Sequence, residues 1–193
     1  MQKYFTNKGE KFMTMFYKGI KTKIDTQAKI FTYKDLQDVP TKQGIYVMFE
    51  KEQLDNDGKL RIVRIGKASN LHDRLVNHFN GKGKSIFRKH VQSALNTNSK
   101  EEVSKYIQDN ISYALICVPK LMSTEELEST LTIILADYSK DLDVGNWLGL
   151  SSKNKTIQNY KIWNTQNCKT KKKTEIGLDK YLLDLFEIGL IKK

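Results

Sequence analysis

The tightest constraint on the fold is the stretch "GIYVMFEKEQLDNDGKLRIVRIG", residues 44–66. Residues 44–50 are β-branched and aromatic, as in a buried strand, and 61–66 alternate as a second strand does. Asp57-Gly58 is a turn pair, so a hairpin is predicted, with a loop somewhat longer than the tightest type. In "SNLHDRLVNHF", which follows, Leu71, Leu75 and Phe79 recur at helical spacing, with Ser69 or Asn70 as N-cap. Gly81 and Gly83 break that helix. Arg74 and His78 share one side of it, and Lys67 stands where strand two turns towards it. Hairpin and helix together would gather Tyr46, Lys67, Arg74 and His78 on one surface. Taken singly, each has an ordinary explanation: a half-buried strand tyrosine, a solvated helix face, a surface lysine.

The rest of the chain predicts helices over 85–96, over the segment capped by Ser99 with Glu102 three residues on, and over 123–139. The last opens with Ser123 and Glu126 in capping-box positions. Its C-terminal half is nearly all apolar, marking it as the central buried helix. Residues 111–119 read as a third strand ended by Pro119, and 178–191 as a closing amphipathic helix. Between them, the irregular stretch with Trp147 and Trp163 is expected to pack on the core rather than stack on bases. Pro40 and "TKQG" end a leading segment, giving an N-terminal extension over 1–39 and one domain over 40–193. The expected fold class is α+β: a small, mainly antiparallel three-stranded sheet flanked by helices.

Lys and Arg total 33 against 22 Asp and Glu, a formal charge of +11. Such an excess favours polyanions, nucleic acid foremost, although scattered lysines alone make only a solvated surface. Clusters at "GKGKSIFRKH" and "KTKKK" speak weakly for the former. No apolar run approaches the roughly 20 residues of a membrane span. The N-terminus lacks the apolar core of a secretory signal, so a cytoplasmic protein is expected. Cys117 and Cys168 are far apart and unpaired in spacing, which indicates neither a zinc site nor a disulfide framework.

These motifs, taken in order, resemble the GIY-YIG nuclease family. "GIY" stands intact at Gly44, Ile45 and Tyr46, and the second half appears as "RIG", Arg64-Ile65-Gly66. "KASNLHDRLVNHF" is similar to the family's Gly-Lys-small-x-Asn-Leu-x-x-Arg-Leu-x-x-His run, and "LESTLTIIL" supplies the Leu-Glu-x-x-Leu context of its acidic residue, Glu128. The resemblance runs over about 40–190, towards a restriction-endonuclease-like branch. One position departs: Arg64 replaces the second motif's tyrosine. The family's late asparagine is matched by Asn146 or by Asn164.

The resemblance implies a metal-dependent DNA endonuclease. One Mg²⁺ or Mn²⁺ would be held by Glu128, water and phosphate oxygens, since Mg²⁺ commonly needs only one or two carboxylates. Arg74 would neutralise the phosphate. Tyr46 would be general base or water-positioning group, which requires nearby cations to favour the phenolate. Lys67 would lower the phenol's pKa or assist proton transfer, and His78 would orient the water or contact phosphate. Arg64, Lys82, Lys84, Arg88 and Lys89 are expected along double-stranded DNA. With little appended sequence, specificity would come from loops and a pair of subunits, as in a small restriction enzyme. The alternative is a DNA-binding module on the same fold that does not cleave, motivated by Arg64.

Overall fold

The computed structural model describes residues 2–117, 123–168 and 189–190, with side chains over 13–116 and 123–168. Strands β1 (Gly44–Leu54) and β2 (Leu60–Ala68) form the hairpin, and β3 (Ile111–Cys117) pairs antiparallel with β1 on its other side. β1 is therefore the central strand, and its first seven residues are all buried. This accounts for a continuous apolar run where a half-exposed strand would alternate. A two-residue strand, β4 (Gly189–Leu190), extends the sheet beyond β3 in the order β2-β1-β3-β4. Gly189 and Leu190 are thus strand rather than the end of a closing helix; the remainder of that expected helix lies outside the described residues.

The hairpin arms run longer than the sequence predicts. Asp55 closes the loop by accepting backbone N–H bonds from Asp57 and Lys59, and Gly58 takes the left-handed conformation (φ 73°) that the turn needs. The outer residues are polar because they are solvated, which disguises them as loop.

Alternate residues of β1 face two helical layers. Gly44, Tyr46 and Met48 point towards α2 (Leu71–Asn80), against which α4 (Lys100–Asn110) packs; α3 (Ile86–Leu95) packs on α4. Residues 45, 47 and 49 point towards α1 (Gln2–Gln27) and α5 (Thr124–Ser139). Asn70 rather than Ser69 caps α2, accepting the Asp73 N–H, and both halves of the Ser123–Glu126 capping box form. Ser99 caps α4 by accepting from the Glu102 N–H.

The 1–39 extension is integrated into the core. Phe16, Tyr17 and Ile24 are buried, Tyr17 stacks on Tyr138 of α5, and Phe31 bridges to Tyr113 of β3. Their helical spacing is diluted by lysines, so the sequence reading assigned no element there. After α5 the chain makes a 3-10 turn, Leu148–Ser151, and the short helix α6 (Lys155–Tyr160). It then lays 163–164 along the free edge of β2, where Trp163 N–H donates to Val63 O. Trp147 and Trp163 are both buried, as expected.

Candidate active site

The motif glycines are present because side chains lie directly on them. Gly66 is opposite Tyr46 in the β1–β2 register, and a Cβ there would sit 2.3 Å from Tyr46 Oη. A Cβ on Gly44 would meet Leu71 Cδ1 at 2.8 Å. The two glycines let the tyrosine ring and the first turn of α2 lie flat against the hairpin.

Tyr46 Oη is 2.6 Å from His78 Nε2, and His78 Nδ1 is 2.7 Å from Ser85 Oγ. Ser85 is the N-cap of α3, so its hydroxyl also accepts the Arg88 N–H. The histidine joins a strand, a helix and the start of the next helix. It is 1% exposed. Burial, then the charges of Arg64, Arg74 and Arg88, hold its pKa well below the ordinary 6.5, so the imidazole is neutral. So enclosed, His78 does not itself reach a phosphate outside the fold, one of the two roles the sequence reading gives it. Tyr46 is itself 2% exposed.

Arg74, one turn before His78 on α2, is exposed. Lys67 follows Gly66 and so points to the opposite face of the sheet. Its Nζ is 2.7 Å from Glu125 Oε1 on α5. Lys67 is thus on the carboxylate side of the strand, bonded to Glu125 rather than to the phenol. Glu128, one turn further along α5, is half-buried beside the Lys67 backbone N–H. Burial raises its pKa, against the opposing pull of Lys67 and Arg64. The end of β2 therefore has Tyr46 Oη over one face and the Glu128 carboxylate at its edge.

Arg64 is held inside the site. Its Nη1 donates to Trp163 O at 2.9 Å, and its guanidinium lies 5.3 Å from the Phe87 ring centroid. Its Nε is buried with no hydrogen-bond partner among the described residues. Arg64 is half-buried and committed to Trp163 O, unlike a free surface cation. Arg88 is buried, which corrects its expected place along a DNA backbone. Its guanidinium donates to His78 O, Phe79 O, Lys100 O and Ser104 Oγ. It thereby satisfies the carbonyls at the C-terminus of α2 beside Gly81 in its left-handed cap. Lys82, Lys84 and Lys89 are exposed.

Asn164 is the late asparagine that adjoins this strand end. Its amide accepts from Ile65 N–H at 3.0 Å and donates to Ile65 O at 2.8 Å, mimicking a further strand. Asn146 is exposed beside Trp147. The sequence reading missed Ser85 and the buried Glu50. Glu50 had one visible signal: it is the only charged residue in the otherwise apolar run 44–50.

A family model described as GIY-YIG domain matches residues 7–116. No curated protein and no solved structure matches the chain. The chain belongs to the GIY-YIG domain family, a class of nuclease whose substrate is DNA. The matched span includes the hairpin, Tyr46, Lys67, Arg74 and His78, and ends before α5 and Glu128. Nucleases of the family generally use divalent metal ions. Among the described residues no group of three or more His, Cys, Asp and Glu could hold a metal. Among the described residues Glu128 accepts from the Lys67 backbone N–H and from no side chain, so its donor set fits an ion shared with water and substrate phosphate rather than a protein cage. No helix among the described residues is long and apolar enough to cross a membrane.

Proposed function

We propose that this protein is a divalent-metal-dependent endonuclease acting on duplex DNA with restriction-type sequence specificity. Glu128 would be the carboxylate that holds the metal. The observation that carries the reading is the convergence at one strand end of Tyr46 above Gly66 and Glu128 beside the Lys67 N–H. The exposed Arg74 projects from the helix that supplies the partner of Tyr46. Mg²⁺ or Mn²⁺, when bound, would supply charge neutralisation at the leaving oxygen.

Arg74 would bind the scissile phosphate through two guanidinium nitrogens. Tyr46, its own O–H donated to His78, would position the attacking water through the free lone pair of Oη. His78 fixes the direction of Oη: with its own proton on Nδ1 and donated to Ser85 Oγ, Nε2 accepts from the phenol. Lys67, released from Glu125, would face the substrate phosphate. Arg64 would hold Trp163 and the strand end while adding fixed positive charge near Glu128. Two copies of the chain would be needed to cut both antiparallel strands from equivalent sites.

A non-cleaving DNA-binding domain is favoured by one specific observation, the 2% exposure of Tyr46. Supercoiled plasmid incubated with the protein, with and without Mg²⁺, separates the two. A nuclease gives metal-dependent nicks or cuts, reduced at least about 100-fold in Tyr46→Phe and Glu128→Ala. Retarded but intact plasmid would leave the binding domain.

A further inference from the structure

α3 has one side turned into the core and another turned away from it. Phe87, Arg88, Val91 and Ala94 are its buried side. Ile86, Lys89, Ser93 and Asn96 follow one another at helical spacing on the other, with Gln92 beside them. Ile86 is 58% exposed. Lys89, Gln92, Ser93 and Asn96, with Asn98 and Lys153, line a polar recess of about 270 Å³. None of these six side chains has a hydrogen bond or ion pair among the described residues. Arg88, one position from Lys89, has four hydrogen bonds.

Charge identifies the partner. Residues 74–100 contain no Asp or Glu, and neither do residues 144–174, in a chain with 22 acidic residues. α3 lies in the first stretch, Lys153 and the turn Leu148–Ser151 lie in the second, and α3 packs on that turn. The fold thus joins its two acid-free stretches at this recess. α3 begins beside the candidate active site, because its N-cap, Ser85, is bonded to His78. Ten residues of helix run about 15 Å from that point, and the major groove, about 12 Å wide, admits a helix.

We propose that α3 is the DNA-reading helix. Gln92, Ser93 and Asn96 face base edges in the major groove, and Lys89 and Lys153 hold the flanking phosphates. The chemistry suits the residues: Gln and Asn amides pair with the N6 and N7 of adenine, Ser bonds several base edges, and Ile86 meets a thymine methyl. The assignment rests on the nuclease reading only in taking duplex DNA as the ligand.

Two double variants of the full chain test it: Lys89→Ala/Lys153→Ala and Gln92→Ala/Asn96→Ala. Each is titrated against a fluorescent duplex pool with a randomised centre, without divalent ion, between about 50 and 200 mM salt. Bound and unbound duplexes are sequenced, and cleavage with Mg²⁺ is measured separately. Loss of the lysines should weaken binding about tenfold and lower the salt slope by about 2. Loss of the amides should leave the pool affinity within about twofold and flatten base preference at one to three positions.

Two double variants that match the parent in affinity, slope and preference overturn the proposal, even if the protein cuts DNA. An unchanged preference in the amide variant reduces the surface to a backbone contact and overturns base reading. The expected losses in a protein that never cuts uphold α3 and remove the nuclease reading. A parent protein that binds no DNA removes both.

Discussion

Two buried polar clusters lie at opposite ends of the same strand, and they differ in how completely their groups are paired. At the far end of β1's buried stretch, the Glu50 carboxylate is 3% exposed. It accepts the indole N–H groups of Trp147 and Trp163 at 2.9 and 2.8 Å and the Tyr106 hydroxyl. Arg61 lies nearby, fully buried, donating to Lys161 O at 2.6 Å with its guanidinium 4.6 Å from the Trp147 ring. Burial lowers its pKa to about 10, and the Glu50 charge opposes that shift. At the near end, among the described residues, Glu128 has the Lys67 backbone N–H and no side-chain donor, the Arg64 Nε has no partner, and Arg74 stands in solvent. A chain of aromatic contacts joins the clusters: Tyr46 to His78, His78 to Phe87, Phe87 to Trp163, Trp163 to Trp147.

A saturated carboxylate holds a fold, whereas an unsaturated one can take a ligand. Glu50 clamps the segment 147–163 onto the hairpin, and Asn164, the next residue, braces the strand end at the site. Removing Glu50 breaks the comparison most severely. Glu50→Ala leaves two indole N–H groups and a phenol without their acceptor and removes the negative charge near the buried Arg61 guanidinium. The expected loss is about 3–5 kcal/mol of folding stability, read from the urea midpoint. A Glu50→Ala protein as stable as its parent would show that the cluster is not the clamp described.

Glu128→Gln probes the other end and should behave in the opposite way. Cleavage falls by at least about 100-fold, roughly 3 kcal/mol of barrier. Stability at neutral pH instead rises, by about 1 kcal/mol or less. The sign follows from the raised pKa. A carboxyl whose folded pKa exceeds its unfolded value contributes fully below the unfolded value and loses that contribution as pH rises through the folded one. At pH 7 the ionised Glu128 is therefore a burden that Gln lacks, and the difference closes in acid. A destabilised Glu128→Gln at pH 7 would assign this carboxylate a structural role.

The contrast also separates what the sequence could reveal from what it could not. The hairpin, the helices α2 to α5 and the tryptophan packing follow from period, caps and turn chemistry, which are local. Tyr46, Arg74 and Glu128 can be named as candidates because their motif contexts are local too. The pairing of Glu50 with Trp147 and Trp163 spans 97 and 113 residues, and no local rule reports it. Arg88 and Lys89 are adjacent in a basic run, yet one is a buried helix cap and the other solvent-exposed. Only the turn of α3 distinguishes them. His78 shows the same limit: spacing put it on a face with Arg74, but burial decided its charge.

That burial carries the smallest of these effects. The folded pKa of His78 lies below its ordinary 6.5, so its contribution to stability is complete above 6.5 and is lost as pH falls through the folded value. In the unfolded chain the imidazole binds a proton that the native site refuses. The urea midpoint should therefore decline as pH drops from about 7.5 towards 5.5, before most carboxylates titrate. In His78→Gln, whose amide can bond Tyr46 without titrating, the decline over that window should be shallower, whatever the variant's absolute stability. His90, whose pKa burial also lowers, is present in both proteins and contributes equally to each decline. If the two proteins decline in parallel, the Tyr46–His78 pair holds an imidazole that protonates freely. The neutral hydrogen-bond acceptor assigned to Tyr46 would then be wrong, and a cation would take its place beside the phenol.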